Sequence, residues 1–169
     1  MSEIVSAHGK EQSLTRITRH FAVVAVMSGG AAIAAPPAQN QLPTGGQIAA
    51  GVASMMTNGN TMTVTQSSNR AAINWNTFDI GSQATVNFVQ LSANAVALNR
   101  VHSPNTSQIF GNLNANGQVY LLNSAGVYFA PGAQVNVGDI VATTMSMSDA
   151  AFMAGSTTFN RNGRHRQSD

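Results

Sequence analysis

Between residues 21 and 160 the carboxylates are Asp79, Asp139 and Asp149 and the one histidine is His102, beside Ser103, and these are the side chains there suited to catalysis. Clustered carboxylates could serve a polysaccharide-cleaving enzyme as general acid and base or hold calcium, and a histidine next to a serine suggests acyl transfer. The spacing supports neither chemistry. Each aspartate stands apart from the others, near glycine or serine in a stretch that reads as a turn, where an Asp side chain accepts hydrogen bonds from backbone amides. No G-x-S-x-G elbow surrounds Ser103. Zinc-ligand spacing and the calcium-binding nonapeptide repeat are both absent from the sequence. No catalytic residue, metal ligand or cofactor is therefore expected.

The charge distribution excludes a further class of partner. The 169 residues carry a formal charge of +2, but the cations sit at the two ends. Lys10, Arg16 and Arg19 lie near the start, and Arg161, Arg164 and Arg166 near the finish. Between them only Arg70 and Arg100 face the three aspartates. Nucleic-acid binding requires clustered cations that release counterions from phosphates, and none is present. The length suits one domain with a real core.

The elements that would position any site are short. Residues 114–144 read NANGQVYLLNSAGVYFAPGAQVNVGDIVATT, in which brief apolar alternations are broken by Asn, Gly, Pro or Ser. The same pattern holds from Gly45 onward: TMTVTQ at 61–66, AINWNTFDI at 72–80 with Ile73, Trp75 and Thr77 on one face, then Val86-Asn87-Phe88. Period-two alternation between turn residues predicts half-buried strands. Residues 91–101 (LSANAVALNRV) contain helix formers, but Asn94 and Asn99 interrupt them and no capping box precedes them, so strand or loop is expected. Asn114, Asn116 and Gly117 are expected to form a structural turn. Trp75, Phe78, Phe88, Phe110, Tyr120, Tyr128 and Phe129 are expected to fill or cap an interior. Tyr120 and Tyr128 are out of phase with Leu121 and Phe129, which points the two tyrosines outward. Met145 and Met147 are expected to pack inward.

Strands this short belong to a sandwich or to a solenoid of stacked coils. Composition favours the solenoid. Equivalent positions of successive coils lie over one another, so like charges would repel, whereas Asn and Thr can hydrogen-bond along the stack and Gly permits tight corners. The uncharged middle of the chain fits that requirement.

Residues 21–35 (FAVVAVMSGGAAIAA) form an apolar run after Arg16, Arg19 and His20, too short to span a bilayer. With Ala32-Ile33-Ala34 before Pro36, it has the form of a secretory signal peptide over residues 1–34. The chain contains no cysteine, which suits one that must stay unfolded while crossing a pore.

The blocks PTGGQIAAG (43–51), SSNRAAINWNTFDIG (67–81), ALNRV (97–101), SQIFGNLNANGQVYLLNSAGVYF (107–129) and GAQVNVGDIVATT (132–144) resemble the filamentous-haemagglutinin N-terminal domain, the secretion domain of two-partner secretion exoproteins in Gram-negative bacteria. The resemblance implies an all-β, right-handed parallel β-helix with an N-terminal cap over residues 35–163. It implies Sec export and recognition by an outer-membrane β-barrel transporter with POTRA domains, with secretion to the cell surface or medium and a role as export signal and folding nucleus. The family motif Asn-Pro-Asn-Gly falls on Asn123, Ser124, Ala125 and Gly126, matching at Asn123 and Gly126 only. Residues 164–169 do not resemble the family, so the domain is expected to be truncated. Host or bacterial glycans or receptors would be bound by a downstream region. The alternatives are a small self-contained surface adhesin and a carbohydrate-active β-helix enzyme.

Overall fold

A computed structural model describes residues 5–7 and 34–161. The leader expected over residues 1–34 lies outside the described residues except for the strand Val5–Ala7 (β1) and Ala34, and the tail at 164–169 lies outside them as well.

The chain winds into a right-handed parallel β-solenoid of about four turns. Gln47–Ala50 (β2) and Ala53–Asn58 (β3) come first. The first coil carries Thr61–Gln66 (β4) and Arg70–Trp75 (β5), and the second Thr85–Gln90 (β6), Val96–Val101 (β7) and Ser107–Ile109 (β8). The third comprises Asn112–Ala115 (β9), Gln118–Asn123 (β10) and Val127–Phe129 (β11), and the last Gln134–Asn136 (β12) and Asp139–Thr143 (β13). Residues 91–95 form a turn and 96–101 the strand β7, so the helix formers of that stretch are overridden by coil stacking.

Equivalent strands stack in parallel, giving a six-stranded sheet in the order β1-β13-β10-β7-β5-β2, a five-stranded sheet β12-β9-β6-β4-β3 and a two-stranded sheet β11-β8. The N-terminal end is capped. β2 runs antiparallel to β5 and β3 antiparallel to β4, so the first coil's edge does not stand open. Residues 39 and 41 add carbonyls that accept the amides of Gln83 and Gly81. β1 lies antiparallel along β13.

Side chains at alternate positions fill the coil. Met62, Val64, Ile73, Trp75, Val86, Phe88, Leu113 and Leu121 form one buried cluster, each large apolar side chain worth roughly 1.5–3 kcal/mol on burial. The corners are tight: a Cβ on Gly111 would collide with the carbonyl oxygens of Gly81 and Ala84, so only glycine lets one coil settle on the next there.

Two expectations need correction. The chain beyond Gly45 is not exclusively strand and turn, because Asp149–Met153 (α1) is helical, with Ser148 as N-cap accepting from the Ala151 amide at 3.2 Å. The six-stranded sheet is also covered on its outer side. Residues 144–160 fold back over it as a strap, and Ala72, Val96, Leu98, Tyr120, Leu122, Met147 and Phe152 form a second buried cluster there. Met147 packs in this outer cluster and Met145 is only half-buried, so the methionines do not enter the coil as a pair.

Candidate functional site

The segment that resembles the family motif is a turn built around one buried amide. β10 ends at Asn123, whose carbonyl accepts the Gly126 amide at 2.9 Å while its Oδ1 accepts the Ala125 amide at 2.9 Å. Its Nδ2 donates to the Asn105 carbonyl at 3.0 Å and to Ser107 Oγ at 2.9 Å. The turn is thereby tied to the preceding coil, and two more bonds reinforce the tie: Thr106 Oγ1 donates to the Ala125 carbonyl at 2.7 Å, and the Ser107 amide to the Gly126 carbonyl at 3.0 Å. Asn123 is 1% exposed. Only an amide can donate to two acceptors and accept from a third group in this arrangement.

Gly126 has φ +101°, and a Cβ there would meet nothing nearer than Thr106 at 3.8 Å. The glycine therefore answers a backbone demand, not a shortage of space. Ser124 is exposed and Ala125 half-buried. The two positions that match the family motif build the turn, and one of the two that depart from it faces solvent.

The other expected turn residues divide. Asn116 and Gly117 form the bend between β9 and β10: Asn116 Oδ1 accepts the Gln90 amide at 2.6 Å, its Nδ2 donates to the Gln90 carbonyl at 2.8 Å, and the Gly117 amide donates to Gln90 Oε1 at 3.0 Å. Asn114 instead lies within β9, because it is a rung of a ladder across the coils. Its Nδ2 donates to Asn87 Oδ1 at 2.9 Å, and Asn136 Nδ2 donates to Asn114 Oδ1 at 3.2 Å. A second stack, sheltered at a corner, joins Gln90 Nε2 to Gln66 Oε1 at 3.2 Å. Nothing in the alternation pattern distinguishes these two glutamines from surface residues.

The residues suited to catalysis are not assembled into one site. Asp79 Oδ1 accepts the Gln108 amide at 2.8 Å, and burial pushes its carboxyl above the usual range. Asp139 accepts the Ile140 amide, and Asp149 pairs with Arg100. His102 is exposed, and Ser103 Oγ accepts the Asn105 amide at 3.0 Å. Among the described residues no group of three His, Asp or Glu side chains is placed to hold a metal, and no helix is long and apolar enough to cross a membrane.

The aromatics also divide. Trp75, Phe78 and Phe88 fill the interior, whereas Phe110 and Tyr128 are half-buried with their ring centroids 5.9 Å apart. Tyr120 does point away from the coil, but it is only 8% exposed, because Phe152 and Phe159 of the strap lie against it at centroid distances of 6.4 and 5.8 Å. Burial raises the Tyr120 pKa, and the charge of Asp139 adds to that, while Arg70 acts in the opposite direction. The folded chain thus keeps a phenolic proton that the unfolded chain loses near pH 10. The associated stability is fully present below about pH 10 and is lost as pH rises through the higher folded value. Urea midpoints measured on both sides of pH 10 should fall more steeply for the wild-type chain than for Tyr120→Phe; equal slopes would mean that the phenol titrates freely.

Comparison with known proteins agrees with this architecture. The family model described as the TPS secretion domain matches residues 34–167. Two heme/hemopexin-binding proteins of Haemophilus influenzae are 46% and 44% identical over 106 residues, each alignment covering 63% of this chain and 12% or 11% of the relative. The chain therefore matches only about an eighth of the length of these curated relatives. The crystal structure of the HMW1 secretion domain from Haemophilus influenzae superposes with a TM-score of 0.64 and 32% identity, covering 69% of this chain and 31% of that one.

Proposed function

We propose that this chain, which belongs to the TPS secretion domain family, directs a longer exoprotein out of the cell by presenting residues 123–126 and the strands beside them to the POTRA domains of its transporter, and then nucleates the β-helix. TPS exoproteins are secreted by Gram-negative bacteria with the help of a partner outer-membrane transporter. The observation that carries the finer reading is the Asn123 turn. A segment whose buried amide locks one coil to its predecessor can be recognised while extended and then trapped by folding. An extended chain offers its unpaired backbone to a sheet edge in another domain, with alternate side chains filling pockets. The leader over residues 1–34 would deliver the chain to the periplasm.

Co-expression with a cognate transporter tests this. The chain should appear in the culture medium with the intact transporter and stay in the periplasm when the POTRA domains are deleted. Equal secretion with and without those domains would overturn the recognition step, and no secretion with the intact transporter would overturn the export role.

A further inference from the structure

Asp79 is a half-buried carboxylate without a cation. Its Oδ1 accepts the Gln108 amide, and among the described residues the one ion pair is that of Arg100 with Asp149. Burial pushes the Asp79 carboxyl above the usual range, and the Gln108 amide offsets that only in part. The two arginines in the middle of the chain are taken by the strap. Arg70 Nη1 donates to the Phe152 carbonyl at 3.0 Å, with its guanidinium 5.0 Å from the Phe152 ring centre. Arg100 Nη2 donates to the Met147 carbonyl at 2.7 Å and to Asp149 Oδ1 at 2.8 Å, and Nη1 donates to Asn74 Oδ1 at 2.8 Å. The sole lysine, Lys10, lies in the leader.

The residue that follows the leader is held beside this carboxylate. Ile80 and Ile109 bridge in parallel, so Asp79 and Gln108 are neighbours on the outside of adjacent coils. Gln108 Nε2 donates to the Ala35 carbonyl at 3.1 Å. Behind Ala35 the chain is clamped: the Gln39 and Gln41 carbonyls accept the Gln83 and Gly81 amides, and a Cβ on Gly81 would collide with the carbonyl oxygens of Ala38 and Gln39. Ala35 itself is exposed. Its nitrogen is three bonds from the oxygen that Gln108 holds, and adjacent coils lie about 4.8 Å apart, so rotation about the Ala35 backbone can bring that nitrogen to Asp79. With the leader attached, the nitrogen is an uncharged amide. Hydrolysis of the Ala34–Ala35 bond consumes one water, leaves a carboxylate on Ala34 and frees an amine on Ala35 that takes up a proton at neutral pH. Resting on the leader boundary proposed above, we infer that the Asp79 carboxylate is the receptor for this new α-ammonium, so that leader removal fastens the N-terminal cap to the first coil. The occupant is part of the chain itself and is present whenever the coils stack. Of the elements around the pair, β8 and residues 34–41 carry no titratable side chain, and β11 contributes Tyr128, in register with Gln108.

The test uses chain expressed with its own leader and purified from the periplasm, its first residue read by Edman degradation. From Ala35 onward the sequence has no lysine, so the α-amine is the one target of an amine-acylating reagent, and the pH dependence of labelling, followed by mass spectrometry, reports its pKa. The wild-type amine should titrate about half a pH unit above the ordinary range of about 7.7–8.0. Asp79→Asn, which keeps an oxygen for the Gln108 amide and removes the charge, should return the amine to that range. A wild-type amine that titrates like that of Asp79→Asn overturns the pair. Should the variant fail to fold, the folded wild-type chain is compared with the same chain in urea, and an amine with one pKa in both states overturns the pair. A first residue other than Ala35 overturns the proposal at the leader boundary. Neither result bears on the export role, which co-expression with the transporter scores separately.

Discussion

Asn123→Ile is expected to destabilise the domain by about 3 kcal/mol, measured as a lower urea midpoint at unchanged m-value. The substitution removes the donor to the Asn105 carbonyl and Ser107 Oγ and the acceptor of the Ala125 amide. Each polar group left unpaired in a buried site costs about 1–3 kcal/mol, and the Ser107 hydroxyl can recover part of its share by rotating. Gly126→Val should cost about 1–3 kcal/mol through backbone strain alone, since the side chain has room. Both variants should reach the medium less efficiently in a transporter-expressing strain. A substitution at Ser124 and Ala125 separates folding from recognition. Restoring the family motif with Ser124→Pro and Ala125→Asn should leave stability nearly unchanged and strengthen binding of the unfolded chain to a POTRA fragment. If all three variants bind that fragment like the wild type, residues 123–126 are a folding element only.

Trp75→Ala should be the most damaging single substitution in the coil, at about 5 kcal/mol. Truncating a buried Trp costs about 3–5 kcal/mol in lost transfer energy and cavity. Here the indole also packs edge-on against Phe78 with centroids 5.4 Å apart and donates to Asn99 Oδ1 at 2.9 Å, an acceptor with no exposure. The sum approaches the whole stability of a small domain. Because Trp75 is the sole tryptophan, unfolding should be followed by circular dichroism. Trp75→Phe, which keeps most of the volume and forfeits the hydrogen bond, should cost about 1–3 kcal/mol. Equal losses for the two variants would mean that the hydrogen bond, not the packing, dominates.

Much of the fold was legible because a parallel coil repeats one local rule. Alternation located the strands at 61–66 and 118–123, and the scarcity of charge with abundant asparagine pointed to stacking, which the Asn87, Asn114 and Asn136 ladder displays. The strap was not legible. Tyr120 has an outward phase, and what covers it lies some thirty residues further along, beyond any periodic signal. α1 spans a single turn and a half, too short to show a helical period, although Ser148 before Asp149 is a cap signal. Arg70 and Arg100 looked like stray charges because, Asn74 apart, their partners are carbonyls and a carboxylate supplied from residues 147–152. At the candidate site the sequence marked Asn123 and Gly126 through the motif, but Asn105 and Ser107, which complete the turn, carry no such mark.

A stack of coils joined only to its neighbours would fray from its C-terminal end, each coil melting with little regard for the others. The strap changes that behaviour. Its bond from Arg70 to Phe152 spans 82 residues, and that from Arg100 to Asp149 spans 49. Opening the last coil pulls on the strap, and the strap is fastened to the first and second coils. Contacts of such long range slow folding while binding the ends of the array into one cooperative unit. The domain should therefore withstand a mechanical pull or a protease at its C-terminal end until the clasp over Arg70 and Arg100 lets go, and then lose all its coils together.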